Sequence, residues 1–151
     1  MPPLLIAAAL VALIAISTVA GFLGKASQGR SKEVRSSASE NGIPGLVAGQ
    51  ISLVQFSSQV CAPCVSTRHL LSGIAETTDA VNHIEFDVAE HPGLVSRWGV
   101  MQTPTTLLVD HRGTVRSRIG GAPRPAELLK ALERISSENA ITMGTGSAAA
   151  V

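Results

Sequence analysis

The spacing of the two cysteines constrains this chain more than any other feature. Cys61 and Cys64 are the only cysteines among 151 residues, and they are three positions apart. The apolar run before them, Ile51–Phe56 (ISLVQF), contains β-branched residues and predicts a buried central strand. Pro63, between the cysteines, suits the first turn of a helix. The pair therefore lies at a predicted junction between a strand and a helix.

Such a pair can be a metal clamp, a structural disulfide or a redox pair. A disulfide between positions so close in sequence constrains little of the unfolded chain, so a role in stabilising the fold is disfavoured. A structural zinc site needs about four ligands. The histidines lie on separate predicted elements without paired spacing: His69, His83, His91 and His111. We therefore expect no metal site, and redox chemistry is the favoured interpretation.

The rest of the pattern alternates between strands and helices. Asn82–Val88 is predicted to be a strand and Pro125–Ile135 an amphipathic helix. Between them, a short helix from Pro92 is predicted to end at Gly99, with Trp98 packed in the core. The runs PTTLLVD and TVRSRIG, joined by His111–Gly113, predict an antiparallel hairpin. The order predicts an α/β fold, with a central mixed sheet flanked by helices.

Charge and composition disfavour nucleic acid as a partner. The net charge is +1, and aromatic residues make up only 3% of the chain. Such a chain has neither the basic excess needed to neutralise phosphates nor the aromatic surface needed to stack bases. Its length fits one domain with appendages.

The N-terminal run Leu4–Gly24 contains no charged residue. A run of about 20 apolar residues is long enough to span a bilayer as a helix, so residues 1–24 are interpreted as a transmembrane anchor and the bilayer as a partner. A cleaved signal peptide is the alternative, although no Lys or Arg precedes the run. Positive charges follow it at Lys25, Arg30, Lys32 and Arg35. They favour a cytoplasmic soluble domain, with an extracytoplasmic one as the alternative.

Three further segments complete the predicted organisation. Residues 25–45, rich in Ser and charge, are predicted to be a flexible linker. Residues 46–138 form the folded domain, which opens with a short edge strand at Leu46–Val47. Residues 139–151, small and rich in Gly and Ala towards the end, are predicted to be a disordered tail.

Several of these motifs together resemble the thioredoxin family. They are Cys61-Ala62-Pro63-Cys64 at a strand-helix junction, the downstream run WGVMQTPTTLLVD, the pair Gly120-Gly121 and the closing amphipathic helix. The resemblance covers Gly49–Ile135 and is strongest to bacterial membrane-tethered members. It implies a thioredoxin-like fold in which the family's N-terminal strand and helix are reduced or their place is covered by the tether.

The resemblance implies a thiol-disulfide oxidoreductase. Cys61 would attack a protein disulfide as a thiolate, because a helix N-terminus lowers the pKa of a thiol placed there. Cys64 would then resolve the mixed disulfide. The Cys61–Cys64 disulfide would be the redox centre, with no other cofactor. The expected partners are protein disulfides and an unidentified electron donor or acceptor.

By the same resemblance, a small set of residues would contact the substrate: Val60, Ala62, Pro63, Thr103 and Pro104. The counterpart of Pro104 in the family is a cis-proline that faces the cysteines, and Thr103 would offer its backbone to an extended substrate segment. Val60 stands where the family usually has Trp, so we expect less aromatic docking around Cys61.

The chain departs from the family below the resolving cysteine. Gln55 replaces a buried Asp of the central strand, and an amide cannot titrate. Glu85 aligns with a family Lys on the next strand. We therefore expect Glu85 to point towards Cys64 with a raised pKa and to act as the missing acid and base.

A different class of function stays open. The fold could serve as a redox-inert scaffold or a metal-binding module for a membrane partner. Retention of both cysteines, of Pro63 and of Thr103-Pro104 favours the enzyme. The direction of electron flow is left open.

Overall fold

The computed structural model describes residues 3–27, 31–37 and 42–146. In chain order the helices are α1 (Pro3–Ser27), α2 (Ala62–Thr77), α3 (Pro92–Arg97) and α4 (Pro125–Gly146). The strands are β1 (Ser31–Ser37), β2 (Ile51–Ser57), β3 (Val81–Asp87), β4 (Thr105–Val109) and β5 (Thr114–Gly120).

The strands form one mixed sheet in the order β1-β5-β4-β2-β3. β2 pairs in parallel with β3 and antiparallel with β4, and β5 runs antiparallel to β4. Parallel neighbours need a crossover connection, and α2 supplies it between β2 and β3. The α/β fold and mixed sheet predicted from the sequence are thereby confirmed.

β2 is enclosed along its whole length, since all seven of its residues are buried. One face of the sheet packs against α2 and α4 through Leu53 of β2, Leu71 of α2 and Leu128 of α4. The other face packs against α3, and Phe56 of β2 lies there in one apolar cluster with Trp98 at the end of α3. Trp98 is therefore a core residue, as predicted. Burial on both faces explains why four of the six residues in ISLVQF are apolar and do not simply alternate with polar ones.

The hairpin between β4 and β5 closes around a buried carboxylate. Asp110 Oδ1 accepts hydrogen bonds from the backbone N–H groups of Arg112 and Thr114, both at 2.9 Å. Its Oδ2 accepts one from the guanidinium of Arg116 at 3.1 Å. Gly113 has φ 75°, a left-handed conformation that glycine adopts without steric cost. The hairpin predicted from its turn residues is confirmed.

The segment before β2 differs from the prediction. No strand forms at Leu46–Val47, since residues 42–50 run as turns and irregular chain. Ile43 is buried and packs against the α3 side of the sheet together with Leu46 and Ile84. This segment serves the core through its side chains and not through strand pairing, so the folded domain begins before residue 46.

The predicted flexible linker is also wrong in part. Within residues 25–45, Ser31–Ser37 forms β1 and pairs antiparallel with β5. Pairing at a sheet edge uses backbone groups, and polar or charged edge strands are common. A search for apolar periodicity therefore misses such a strand. Residues 38–41 of the predicted linker lie outside the described residues.

The two ends of the chain complete the comparison. α4 continues to Gly146, so the predicted tail is helical over residues 139–146, while 147–151 lie outside the described residues. Helical hydrogen bonds propagate at low cost beyond a packed helix, which explains the extension.

The predicted transmembrane anchor, Leu4–Gly24, lies within α1. Among the described residues, none of the helices combines the length and the apolar character needed to cross a membrane. The anchor is therefore not confirmed.

Candidate active site

The two cysteines lie where β2 ends and α2 begins, as predicted. They form a disulfide with a Cα–Cα distance of 5.3 Å. Cys61 occupies the N-cap position of α2, and Pro63 lies in the first turn. Cys61 is partly exposed, whereas Cys64 is 1% exposed. Only the first cysteine is therefore open to a partner.

The start of α2 favours a thiolate at Cys61 once the disulfide is reduced. The helix begins without a side-chain cap on Cys61 and without an acidic residue in its first turn. Unpaired N–H groups and the positive end of the helix dipole stabilise a negative charge at this position. The same effect lowers the pKa of a thiol.

The Thr103–Pro104 segment reaches the same end of the sheet as the cysteines. Phe56 near the end of β2 pairs in register with Thr105 at the start of β4, so Pro104 lies beside the end of β2. The Thr103–Pro104 peptide bond is cis, as predicted. Pro104 is buried and its carbonyl accepts a hydrogen bond from Gly121 N–H at 2.8 Å.

Arg118 of β5 holds the chain that leads to Pro104, and the sequence analysis missed it. Its guanidinium donates to the carbonyls of Trp98 and Gly99, both at 2.7 Å. These carbonyls belong to the C-terminal end of α3, where helical carbonyls lack partners within the helix. No motif identifies such a contact, since it joins residues about 20 positions apart in sequence.

Exposed apolar side chains flank the accessible cysteine. Val60 is 96% exposed directly before Cys61, and Met101 is 91% exposed ahead of the Thr103–Pro104 bond. Val65 in the first turns of α2 is also exposed. Ala62 and Pro63 are exposed between the cysteines. Of the predicted substrate-contact residues, Val60, Ala62 and Pro63 are thus exposed next to Cys61 in the chain, whereas Thr103 is half-buried and Pro104 is buried.

Glu85 does not have the predicted proton-transfer geometry. The Arg68 guanidinium donates two hydrogen bonds to its carboxylate, from Nε to Oε2 at 2.5 Å and from Nη2 to Oε1 at 2.8 Å. This pairing lowers the pKa of Glu85, with burial opposing and a hydrogen bond from Ser57 assisting. The predicted raised pKa is therefore wrong in direction. The sequence could not show it, because Arg68 reaches Glu85 from the neighbouring helix.

His83 lies on the same face of β3 as Glu85, two residues earlier. Burial lowers its pKa, against an opposing effect of the Glu85 carboxylate. Its Nδ1 is 3.1 Å from the hydroxyl of Ser72. A lowered pKa keeps the imidazole neutral near pH 7, so His83 contributes no positive charge below the cysteines.

Gln55 contacts Cys64. It is completely buried in β2, and its Nε2 donates to the carbonyl oxygen of Cys64 at 3.0 Å. The sequence indicated that this position cannot titrate. Its contact with Cys64 emerges only from the packing of α2 on β2.

A cavity of about 350 Å³ lies at the opposite end of β2 from the cysteines and is lined by residues such as Gln50 and His111. None of its lining residues is a predicted site residue. Among the described residues, no cluster of three or more His, Cys, Asp or Glu is arranged to hold a metal ion.

The Arg68–Glu85 pair makes a pH-dependent contribution to stability. A carboxyl whose folded pKa is lowered stabilises the protein fully above its unfolded value, near 4.5, and loses that contribution as the pH falls through the folded value. We expect Glu85→Gln to lower the urea midpoint at pH 7, and the difference from the wild type to shrink below pH 4.5.

The same substitution tests catalysis separately. Because the carboxylate is already ionised and paired, we expect Glu85→Gln to change the rate of disulfide exchange less than twofold. Glu76→Gln, an exposed acid of α2, is the matched control for charge removal. A much slower resolution step in Glu85→Gln at unchanged stability would restore the proton-transfer role.

Sequence comparison links the region around the cysteines to known proteins. A family model described as Thioredoxin matches residues 40–134. The chain is similar to the thioredoxin of Alicyclobacillus acidocaldarius, 33% identical over 73 residues, which cover 48% of this chain and 70% of that protein. It is 26% identical over 76 residues to the thioredoxin of Streptomyces clavuligerus, covering 50% of this chain and 71% of that protein.

Structure comparison agrees at the level of the fold. The X-ray structure of Fasciola hepatica thioredoxin matches with a TM-score of 0.52 at 23% identity, covering 64% of this chain and 86% of that one. The matched family region spans more than half of this chain and contains both cysteines, β2 to β5 and the Thr103–Pro104 bond. The chain therefore belongs to the thioredoxin family.

Proposed function

We propose that this protein is a thiol-disulfide oxidoreductase that acts on protein disulfides. One observation carries the proposal: a partly exposed Cys61 at a helix N-terminus is bonded to a buried Cys64. An attacking thiol must be accessible and must ionise near neutral pH, whereas a resolving thiol must be close to it and shielded from competing partners. The two cysteines differ in this way.

The reaction follows from that asymmetry. The Cys61 thiolate attacks one sulfur of a client disulfide, so that a mixed disulfide forms and one client thiolate leaves. The Cys64 thiol then loses its proton and attacks the Cys61 sulfur, which releases the second client thiolate. The client has gained two electrons and the protein has become the disulfide. A thiol donor must reduce Cys61–Cys64 before the next cycle, and the reverse sequence would oxidise a client.

Removal of either cysteine separates the two roles. We expect Cys61→Ser to abolish reduction of a protein disulfide such as that of insulin, because the nucleophile is lost. Cys64→Ser is expected to stop turnover while accumulating a mixed disulfide through Cys61, because nothing resolves it. Mass spectrometry under non-reducing conditions, with alkylation of free thiols, measures both species.

The reduction potential of the wild-type couple against glutathione gives the direction of electron flow. A value near about −270 mV would indicate a reductase, and one near about −120 mV an oxidant. Failure to form the disulfide reversibly would contradict the proposal and favour the redox-inert scaffold.

The apolar surface around Cys61 is proposed to select the client. Apolar residues exposed in this way are typical of protein-binding sites. We expect Val60→Asp or Met101→Asp to lower kcat/KM for a protein disulfide about tenfold, because a client segment would have to desolvate the new charge. The rate with a small disulfide should stay unchanged. Val47→Asp, an exposed apolar residue outside this surface, is the control. Equal losses with both substrates would contradict a docking role.

We further propose that Leu4–Gly24 attaches the protein to a lipid bilayer, with the domain on the cytoplasmic side. Large apolar side chains of α1 are uncovered, 55–66% exposed: Leu10, Val11, Leu13, Ile14, Ile16 and Val19. Burial of this surface in lipid would be favourable, and positive charges follow it.

A charge in the middle of α1 tests the attachment. We expect the full chain to pellet with membranes after an alkaline wash, and the double variant Leu10→Glu, Ile14→Glu to move to the supernatant. Release of the wild-type chain would contradict attachment. High activity of a periplasm-type phosphatase fused to the C-terminus would contradict the cytoplasmic placement.

A further inference from the structure

Three side chains of the α2-facing side of the sheet form a polar row at the end nearest the cysteines. Gln55 of β2 is in register with Glu85 of β3 and with Thr106 of β4. Residues in register on paired strands share a face of the sheet. The next row towards the other end contains Leu53 and Leu108, which belong to the apolar core. The polar row is therefore a local interruption of that core.

The amide of Gln55 has a defined orientation. A carbonyl oxygen can only accept a hydrogen bond, so the atom that faces the Cys64 carbonyl must be the Nε2 donor. The other amide atom, Oε1, is then buried with no hydrogen-bond partner among the described residues. It shares its carbon with the Nε2 that contacts Cys64, so it lies in the immediate surroundings of that residue.

An acceptor left unpaired in the core destabilises the form of the protein in which it is unpaired. In the disulfide form the Cys64 sulfur carries no hydrogen and cannot satisfy Oε1. Reduction changes this, because a thiol can donate a weak hydrogen bond. The disulfide form thus has an unpaired acceptor next to Cys64, the buried one of the two cysteines that gain a thiol on reduction.

We infer that Gln55 Oε1 accepts a hydrogen bond from the Cys64 thiol in the reduced protein, and so shifts the redox equilibrium towards the dithiol. The inference rests on the proposed oxidoreductase function. With glutathione as reductant, two glutathione thiols lose two electrons and two protons to form glutathione disulfide. The protein S–S bond breaks, and each cysteine receives one electron and one proton. Cys61 then releases its proton to the solvent, whereas Cys64 keeps its proton and donates a hydrogen bond to Gln55 Oε1.

The Gln55→Met variant of the full chain tests the inference, since Met has similar length and no strong acceptor. The Nε2 bond to the Cys64 backbone is lost from both redox forms alike and largely cancels. We expect the glutathione equilibrium to shift about tenfold towards the disulfide, a reduction potential about 30 mV lower. Thr106→Val removes the other unpaired polar group of the row without altering the amide, and should shift the equilibrium less than twofold.

Two results would overturn the inference. One is a shift below twofold in Gln55→Met, and the other is an equal shift in Thr106→Val. Urea unfolding of both redox forms distinguishes a merely structural role, because loss of a structural contact lowers the stability of both forms equally and leaves the potential unchanged. A wild-type protein without a reversible disulfide would overturn the proposed function as well, so the two failures are distinguishable.

Infrared spectroscopy supplies a readout that does not depend on the redox equilibrium. In Cys61→Ser the only thiol is that of Cys64. Its S–H stretching band is expected at a lower frequency than that of a solvent-exposed thiol, and the double variant Cys61→Ser, Gln55→Met should lose this shift. Identical bands in the two variants would contradict the hydrogen bond even if Gln55→Met alone proved unstable.

Discussion

The active site depends on the junction between β2 and α2. β2 is buried along its whole length between β3 and β4 and between two layers of helices. Such a strand cannot shift without breaking the core, so its end is a fixed point. α2 starts after four intervening residues and packs against the sheet through Leu71 and Ile74. The cysteines are therefore positioned by a strand and a helix packed in the core, although one of them is partly exposed.

That junction also explains the difference between the two sulfurs. Cys61 occupies the N-cap position of the helix, where the positive end of the helix dipole favours a negative charge. Cys64 is one turn further, on the side of α2 that faces the sheet, and meets the polar row instead of the helix dipole. Position along one turn of the helix thus sets the accessibility of the two sulfurs. The proposed roles of nucleophile and resolving group follow this difference.

The sequence predicted those parts that rest on local patterns. The buried strand, the cysteine helix and the β4–β5 hairpin have apolar periodicity or turn residues that are visible in a short window. β1 lacked such a pattern, because it joins an existing edge through its backbone. Contacts between residues distant in sequence could not be predicted either, such as those of Arg118 with the end of α3 and of Arg68 with Glu85. The nature of the groups was predictable, but their partners depended on the packing.

Gln55 limits how protons can be handled near Cys64, because an amide cannot titrate. In this chain the central member of the polar row cannot titrate, the Glu85 carboxylate is kept ionised by Arg68, and His83 is kept neutral by burial. None of the three changes charge near neutral pH. In the proposed reaction, the proton that Cys64 loses would therefore leave to the solvent or to the departing client thiolate.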